Sequence, residues 1–212
     1  MKNQEYTLKN CELCDLKGDD YALPRIHRGK GKKVMFVGEA PGSEEAKQHM
    51  AFVGRSGKKL DQWIEYMGID NYYITNVVKH RPPNNRKPTE LEIELCFPYL
   101  EKEAQGENNM NDDIEYVILL GRTALNLVNP ETLWPFPSMP EKWIRQNKPM
   151  KFIITGMLKN TYITKNLKIG NDYDYRIFVL YHPAYVLRKH NDAEVEGYLD
   201  KIRKIISGEV SK

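Results

Sequence analysis

Short apolar segments rich in β-branched and aromatic residues alternate along this chain with segments whose apolar residues recur at helical spacing. The predicted strands are Val34–Gly38, Tyr72–Val78, Tyr116–Leu120 and Arg176–Tyr181, with a further one at Phe152–Thr155. Predicted helices lie at 56–67, from residue 89 onward, at 122–128 and at 193–206. Such alternation is typical of helices that cover a mainly parallel sheet. We therefore predict an α/β fold, a three-layer α/β/α sandwich with a central, mainly parallel four-stranded sheet.

The composition restricts the class of protein without identifying it. Hydrophobic residues make up 41% of the 212 residues, which suffices for a core, and the net charge of +3 permits a nucleic-acid partner without requiring one. No apolar stretch reaches the roughly 18 residues that suggest a membrane span. Residues 1–10 lack the apolar core of a signal peptide. We expect a cytosolic or nucleoid-associated protein with one domain over residues 1–212, in which 129–150 is an insertion.

Polar side chains stand where three of the predicted strands end. Glu39 follows the first strand, Asn76 lies near the end of the second, and His182 follows the last. Because the carboxyl ends of parallel strands meet at one edge of a sheet, we expect these residues to lie together there. The Asn76 amide offers both a donor and an acceptor. Taken singly, an Asn in this place is more often a cap or turn former, and His182 is equally compatible with a structural role.

The three cysteines favour a metal site over disulfide bonds. Three thiols cannot form a closed disulfide set, and a Cys-x-x-Cys pair such as Cys11 and Cys14 is typical of a metal-binding or redox site in a reducing compartment. Together with Cys96 and His80 they form a set of three cysteines and one histidine. That set suits structural zinc as well as an iron–sulfur cluster, and ligand chemistry alone does not choose between them.

Taken together, these segments resemble the uracil-DNA glycosylase superfamily, and within it the iron–sulfur enzymes of family four. The segments that carry the resemblance occur in order: Gly38–Gly42, Phe52–Gly54, Thr75–Lys79, Arg81–Arg86, Leu120–Arg122 and Tyr181–Arg188. The resemblance implies a monofunctional glycosylase of base excision repair that flips uracil out of DNA and hydrolyses its N-glycosidic bond. Uracil-containing DNA would be its partner, an abasic site its product, and a monomer its working form.

The resemblance also assigns residues to the recognition of uracil. Phe52 would stack on the flipped base, and Asn76 would read its pyrimidine edge. Backbone groups of the turn after the first strand would bind a uracil oxygen, and these belong to Gly38, Glu39 and Ala40. The sequence motif thus predicts a base-binding pocket built on the strand ends.

For the chemistry, the resemblance points to one histidine and two carboxylates. His182 would stabilise the negative charge that develops on uracil O2 as the bond breaks. Glu39 and Glu45 are the candidates to orient the attacking water or to offset positive charge on the sugar. Glu39 is favoured because it lies beside the turn that forms the pocket, although the sequence does not separate the two roles.

Two segments are expected to hold the DNA. The start of the first long helix would bind a phosphate, and the residues there are Arg55, Ser56 and Gly57. The segment after His182 would push an apolar wedge into the minor groove with a cation beside it, and its residues are Val186, Leu187 and Arg188. Core packing is the alternative interpretation of Val186 and Leu187.

At the metal site, the family has four cysteines where this chain has three and His80. The resemblance favours a [4Fe–4S] cluster held by Cys11, Cys14, His80 and Cys96, with structural zinc as the alternative. The cluster would be structural. It would tie the N-terminal segment, residues 1–33, to the loop that carries Arg81–Arg86.

Three further departures from the family pattern lie near the pocket. Ala46 stands where the family has an acid, His49 where it has glycine, and Ala51 where it has proline. We expect His49 to face solvent. Ala46 and His49 motivate one alternative function, a uracil- or abasic-site-binding module with little turnover. A further alternative is a glycosylase of the same fold for another deaminated base such as hypoxanthine.

Overall fold

A seven-stranded sheet with helices against it forms the part of the chain that the computed structural model describes, namely residues 8–104, 114–127, 133–134, 154, 163–164 and 175–209. The strands are β1 Arg25–His27, β2 Lys33–Gly38, β3 Tyr72–Asn76, β4 Ile114–Leu120, β5 Leu133–Trp134, β6 Ile163–Thr164 and β7 Tyr175–Leu180. The helices are α1 Ser43–Gln48, α2 Arg55–Met67, α3 Glu90–Ala104, α4 Arg122–Leu125, α5 Pro183–Lys189 and α6 Asp192–Ser207, with one 3₁₀ turn at Pro83–Asn85.

The sheet has the strand order β1-β3-β2-β4-β7-β6-β5. Its four central strands, β3, β2, β4 and β7, run parallel, which confirms the predicted four-stranded parallel core. Three short antiparallel strands extend it, β1 at one edge and β6 with β5 at the other. Every residue of β2 is buried. Such a strand must be covered on both faces, as the predicted three-layer arrangement requires.

Local signals in the sequence account for the long helices that precede and follow β3 in the chain, α2 and α3. In α2 the buried residues include Leu60, Trp63 and Met67 at the predicted spacing, and Gly68 ends the helix with a left-handed backbone at φ 67°. A reciprocal cap starts α3. The Thr89 hydroxyl accepts a hydrogen bond from the Glu92 N–H at 3.2 Å, and the Glu92 carboxylate accepts one from the Thr89 N–H at 2.7 Å.

Some predictions fall on residues that are not described. Apart from β5, the predicted insertion at 129–150 lies outside the described residues, as do the last residue of the helix predicted at 122–128 and most of the strand predicted at 152–155. Ile154, the one described residue of that strand, is buried and helical. Among the described residues, no helix is both long enough and apolar enough to span a membrane.

Candidate active site

A cavity of about 600 Å³ opens at the carboxyl edge of the parallel strands. Gly38 and Asn76 are direct partners in the register of β2 and β3, so the ends of both strands meet at this point. The cavity brings together the predicted pocket residues Glu39, Ala40, Phe52, Asn76 and His182. The side chains that follow the parallel strands therefore lie together at one edge of the sheet, as expected.

Asn76 carries an acceptor without a protein partner. Its side chain is almost fully buried, with 3% of the residue exposed, and its Oδ1 atom accepts no hydrogen bond from any described residue. A buried, unpaired amide oxygen costs free energy unless a ligand satisfies it. The position of this oxygen in the wall of the cavity therefore indicates a ligand with a hydrogen-bond donor.

Phe52 closes one side of the cavity. Its backbone is left-handed at φ 55°, an uncommon conformation for a non-glycine residue, and only 4% of the residue is exposed. Its ring lies against Gly38, where a Cβ atom would stand 2.4 Å from the ring and 2.6 Å from Asn76 Oδ1. Glycine at position 38 thus leaves room for the ring and the amide to share one pocket.

The geometry around His182 fixes which ring nitrogen carries the proton. The Ala184 N–H donates to His182 Nδ1 at 3.2 Å, so the neutral ring carries its proton on Nε2. Burial and then the positive charge of Arg188 lower the pKa of His182 to about 4. The imidazole is accordingly neutral at neutral pH, and it offers an N–H donor to a ligand in the cavity. Its ring centroid lies 5.8 Å from that of Phe52.

The two candidate carboxylates have different surroundings. Glu39 accepts a short hydrogen bond from the hydroxyl of Thr123, a residue of α4 that the sequence did not single out. Glu45 instead accepts hydrogen bonds from the backbone N–H groups of Gly42, at 3.1 Å, and Gly54, at 2.7 Å. Both oxygens of Glu45 are thus engaged in joining two loops of the cavity wall. This difference favours Glu39 as the carboxylate that acts on a ligand.

Cationic side chains line the cavity at its outer side. Arg55 and Ser56 stand in the first turn of α2, while Arg86, Lys87 and Arg188 approach from two other segments. Gly57 does not line the cavity. It packs against the Phe52 carbonyl, and a Cβ atom at position 57 would stand 1.8 Å from that oxygen. Its role is to let α2 approach the Phe52 loop.

Of the two residues predicted to form the apolar wedge, only Leu187 lies on the surface. Val186 is fully buried, because the short helix α5 turns Pro183 and Val186 toward the core, so Val186 is unavailable to DNA. Leu187 is exposed by 41% and keeps its predicted place on the surface. Tyr185, which the sequence did not indicate, is exposed by 38% and stacks on Tyr181 with 5.1 Å between ring centroids.

The departures from the family pattern are accommodated by packing. Ala46 and Ala51 are buried. His49, which we expected to face solvent, is half-buried: its ring stacks on Tyr21 at 4.2 Å between centroids, and its Nδ1 lies 3.2 Å from the Tyr21 carbonyl oxygen. The same Tyr21 ring meets His80 edge-on at 6.1 Å. His49 therefore joins the cavity loop to the N-terminal segment.

The three cysteines lie close enough to influence one another. Burial raises the pKa of Cys14 and raises that of Cys96 to about 11, and electrostatic repulsion from Cys11 raises both further. The Lys79 N–H donates to Cys96 Sγ at 3.2 Å, and the Tyr99 hydroxyl hydrogen-bonds to Cys11. In the described part of the chain, no three His, Cys, Asp or Glu side chains converge tightly enough to hold a single metal ion.

His80 is buried beside this cluster of cysteines. Its Nε2 atom lies 3.1 Å from the Leu8 carbonyl oxygen, and a backbone group of Gly18 also hydrogen-bonds to the ring. Burial lowers the pKa of His80, so the ring is neutral. Residues 20–22 pair with residues 79–81 through Ala22 N–H to Lys79 O at 2.8 Å and Arg81 N–H to Asp20 O at 2.7 Å. The Cys-x-x-Cys segment is thereby fixed against the end of β3.

Comparison with known proteins identifies relatives over nearly the whole chain. Residues 27–203 match the family described as the uracil DNA glycosylase superfamily. The chain is similar to the type-4 uracil-DNA glycosylase of Sulfurisphaera tokodaii, with 33% identity over 97% of this chain and 83% of that protein. It is also similar to the type-4 uracil-DNA glycosylase of Saccharolobus solfataricus, with 33% identity over 97% of this chain and 81% of that protein. The type-4 uracil-DNA glycosylase of Thermotoga maritima is 29% identical over 97% of this chain and 88% of that protein.

Proposed function

Because the chain belongs to the uracil DNA glycosylase superfamily, we propose that it is a monofunctional uracil-DNA glycosylase of base excision repair. It binds uracil flipped out of DNA and hydrolyses the bond between the base and its deoxyribose. One observation in the structure supports this proposal most directly: the unpaired Asn76 amide oxygen and the neutral His182 ring line the same cavity. These are the two groups needed to read a pyrimidine edge and to stabilise its departure.

Recognition uses hydrogen-bond direction. Asn76 Oδ1 accepts from uracil N3–H, and the amide nitrogen of Asn76 donates to uracil O4. Cytosine presents an acceptor at N3 and a donor at N4, so in this orientation it would leave the buried amide unpaired. Phe52 stacks on the base, and the backbone turn at Glu39 and Ala40 contacts a uracil oxygen. The Asn76 amide is therefore the main determinant of base choice.

The reaction breaks the C1′–N1 bond with both electrons leaving on the base. The negative charge of the departing uracil anion concentrates on O2, where His182 Nε2–H donates a hydrogen bond. A water molecule attacks C1′ of the resulting oxocarbenium-like sugar, and Glu39 accepts its proton. The products are a uracil anion, which is then protonated, and an abasic site.

DNA is held from the outer side of the cavity. The first turn of α2 is proposed to bind a phosphate beside the flipped nucleotide through Arg55 and Ser56, with Gly57 contributing only its backbone N–H. Arg188 contacts the backbone, and Leu187 fills the space that the flipped base leaves, with Tyr185 replacing the buried Val186 as its neighbour. The protein is proposed to act as a monomer in the cytosol or nucleoid.

We further propose a structural [4Fe–4S] cluster held by Cys11, Cys14 and Cys96, with His80 as the fourth ligand. The mutual proximity of the three thiols and the N–H to sulfur bond at Cys96 fit such a group. Three cysteines and one histidine would also serve a single structural zinc ion, which remains the alternative. His80, whose Nε2 atom lies 3.1 Å from the Leu8 carbonyl oxygen, would be the fourth ligand. The cluster supplies no chemistry in the cavity.

We predict that purified protein contains iron and absorbs near 400 nm, a rough position for iron–thiolate charge transfer. Cys96→Ala should lose the iron and unfold at a lower temperature, because the N-terminal segment is then no longer anchored to α3. Iron and zinc content, absorbance and thermal unfolding by circular dichroism are the measurements. Leu100→Ala, a core truncation on the same helix, is the control that should keep its iron. Zinc without iron would contradict the cluster.

The proposed activity is tested with an oligonucleotide that contains one uracil. After incubation, alkali should cleave the strand at that position, and no cleavage should occur before alkali is added. Asn76→Ala serves as the control and should remove most of the product. Binding without alkali-labile product would indicate the alternative of a binding module. Release of hypoxanthine but not of uracil would indicate a glycosylase for another deaminated base.

A further inference from the structure

A buried ion pair that no step of the proposed reaction uses lies behind the cavity wall. Lys79 Nζ and Glu103 Oε2 are 2.7 Å apart, and both side chains are fully buried. Lys79 stands three residues after Asn76, and Glu103 is near the end of α3. Because burying two charges is costly, such a pair is retained only where its geometry satisfies every donor and acceptor.

Lys79 uses its three ammonium donors on three separate acceptors. Besides Glu103, its Nζ donates at 2.7 Å to Thr75 Oγ1 and at 2.7 Å to the backbone carbonyl of Asn76. The Thr75 hydroxyl donates in turn to Glu103 Oε2 at 2.8 Å. Lys79 thus holds the main chain of the residue whose side chain faces the cavity.

The position of Asn76 explains why its backbone needs this support. β3 ends at Asn76, and beyond it the Val77 N–H still donates to the Gly38 carbonyl at 3.0 Å, whereas the Asn76 carbonyl accepts from Lys79 Nζ. Its Oδ1 atom has no partner among the described residues, so no hydrogen bond to that oxygen fixes the direction of the amide. The direction of the side chain therefore depends on the direction of the main chain. The peptide unit after Asn76 is held on one side by the Val77 N–H to Gly38 O bond and on the other by the ammonium group of Lys79, which binds the Asn76 carbonyl.

Lys79 also contacts the cluster of cysteines. Its backbone N–H donates to Cys96 Sγ at 3.2 Å, while its side chain binds Glu103. Cys96 and Glu103 are seven residues, or two turns, apart on α3 and share one face of that helix. One residue thereby connects a candidate cluster ligand to the candidate uracil reader.

We propose that Lys79, with Glu103, is a positioning residue for Asn76: it sets the angle at which the amide meets uracil and links that angle to the position of the Cys96 segment. This inference rests on the proposed uracil-DNA glycosylase function. An amide displaced by about 1 Å would make poor hydrogen bonds to the base, and misplacement of this size costs roughly 10²-fold in rate.

The test separates positioning from stability by means of a charge-neutral double variant. Lys79→Met alone leaves Glu103 buried without its partner, so this variant is expected to be strongly destabilised. Lys79→Met together with Glu103→Leu removes both charges and should recover much of the thermal stability. If Lys79 positions Asn76, kcat/KM for uracil excision stays about 10²-fold below wild type in this double variant. The inhibition constant for free uracil should rise as well.

The controls make each outcome decisive. Leu100→Ala removes a fully buried side chain of the same helix and leaves Lys79 and Glu103 in place, so it should keep the wild-type inhibition constant for uracil at temperatures where it is folded. A stable double variant with wild-type kcat/KM and wild-type uracil inhibition overturns the inference and leaves the proposed function intact. If the wild-type protein releases no uracil, the proposed function fails and the inference fails with it.

A second variant serves if the double variant does not fold. Glu103→Gln keeps an acceptor oxygen for Lys79 but removes its charge, so the ammonium group is held less firmly. Its kcat/KM should fall by less than that of the double variant, about tenfold, and its uracil inhibition constant should rise. An unchanged inhibition constant in Glu103→Gln would then overturn the inference.

Discussion

Glu39→Gln is expected to lower kcat for uracil excision by about 10²–10⁴-fold, the range for loss of a positioned proton acceptor. The amide is nearly isosteric with the carboxylate and still accepts the hydrogen bond from Thr123, so the side chain should keep its place. What the variant loses is the ability to take a proton from water. Single-turnover kinetics on a uracil-containing oligonucleotide measure this, with binding of the same oligonucleotide expected to change little.

Glu45→Gln is the matched control for that variant. Glu45 joins the backbone amides of Gly42 and Gly54, and an amide side chain has only one oxygen with which to replace the two acceptors. Loss of a charge-assisted hydrogen bond of this kind lowers the free energy of unfolding by about 1.5–3 kcal/mol. We therefore expect Glu45→Gln to lose stability and affinity more than kcat. Equal losses of kcat in the two variants, with unchanged stability in both, would contradict the division of roles.

His182→Ala is expected to lower kcat by about 10²–10³-fold, which is typical of removing one oxyanion-stabilising donor. His182→Gln should recover part of this loss, because the glutamine amide can place an N–H near the position of His182 Nε2. The comparison separates a neutral donor from a charged one, since glutamine cannot carry a positive charge. Full loss of activity in both variants would contradict a role as a neutral donor.

The pH dependence follows from the pKa of about 4 at His182. Between pH 5.5 and pH 8 the ring stays neutral, so kcat/KM for the wild type and for His182→Gln should vary with pH in the same way. The folded-state pKa lies below the ordinary value of 6.5. Below pH 6.5 the unfolded state binds a proton at His182 more readily than the folded state does. The contribution of His182 to the free energy of unfolding is therefore fully present above pH 6.5 and is lost as the pH falls toward 4. A change in the kcat/KM of the wild type near pH 6.5 that is absent in His182→Gln would contradict this and indicate a protonated imidazolium in the reaction.

The parallel core and the meeting of its strand ends could be predicted because both depend on local patterns. β2 is a short apolar segment that ends in glycine, and the apolar residues of α2 recur at helical spacing up to Gly68. The cap of α3 is formed by Thr89 and Glu92, which are three residues apart in the sequence. The edge strands β5 and β6 have only two residues each, too few to produce a periodic signal.

Individual side-chain contacts between distant segments could not be predicted. His49 stacks on Tyr21, 28 residues earlier, and Thr123 reaches Glu39 across the ends of two strands. Neither residue stands in a pattern that indicates its partner. Val186 is different, because helical spacing from Pro183 to Val186 already indicates that both residues share the inward face of α5. The predicted wedge would instead need both Val186 and Leu187 on the surface, and only Leu187 is exposed.

The most direct test of the proposed activity is to identify the released base. Wild-type protein should release free uracil, detected by mass, from a single-uracil oligonucleotide in amounts equal to the alkali-labile sites that appear. The same oligonucleotide with thymine or cytosine in place of uracil should release no base. Alkali-labile sites without free uracil, strand cleavage before alkali, or no release of uracil by an intact and folded protein would contradict the proposed function.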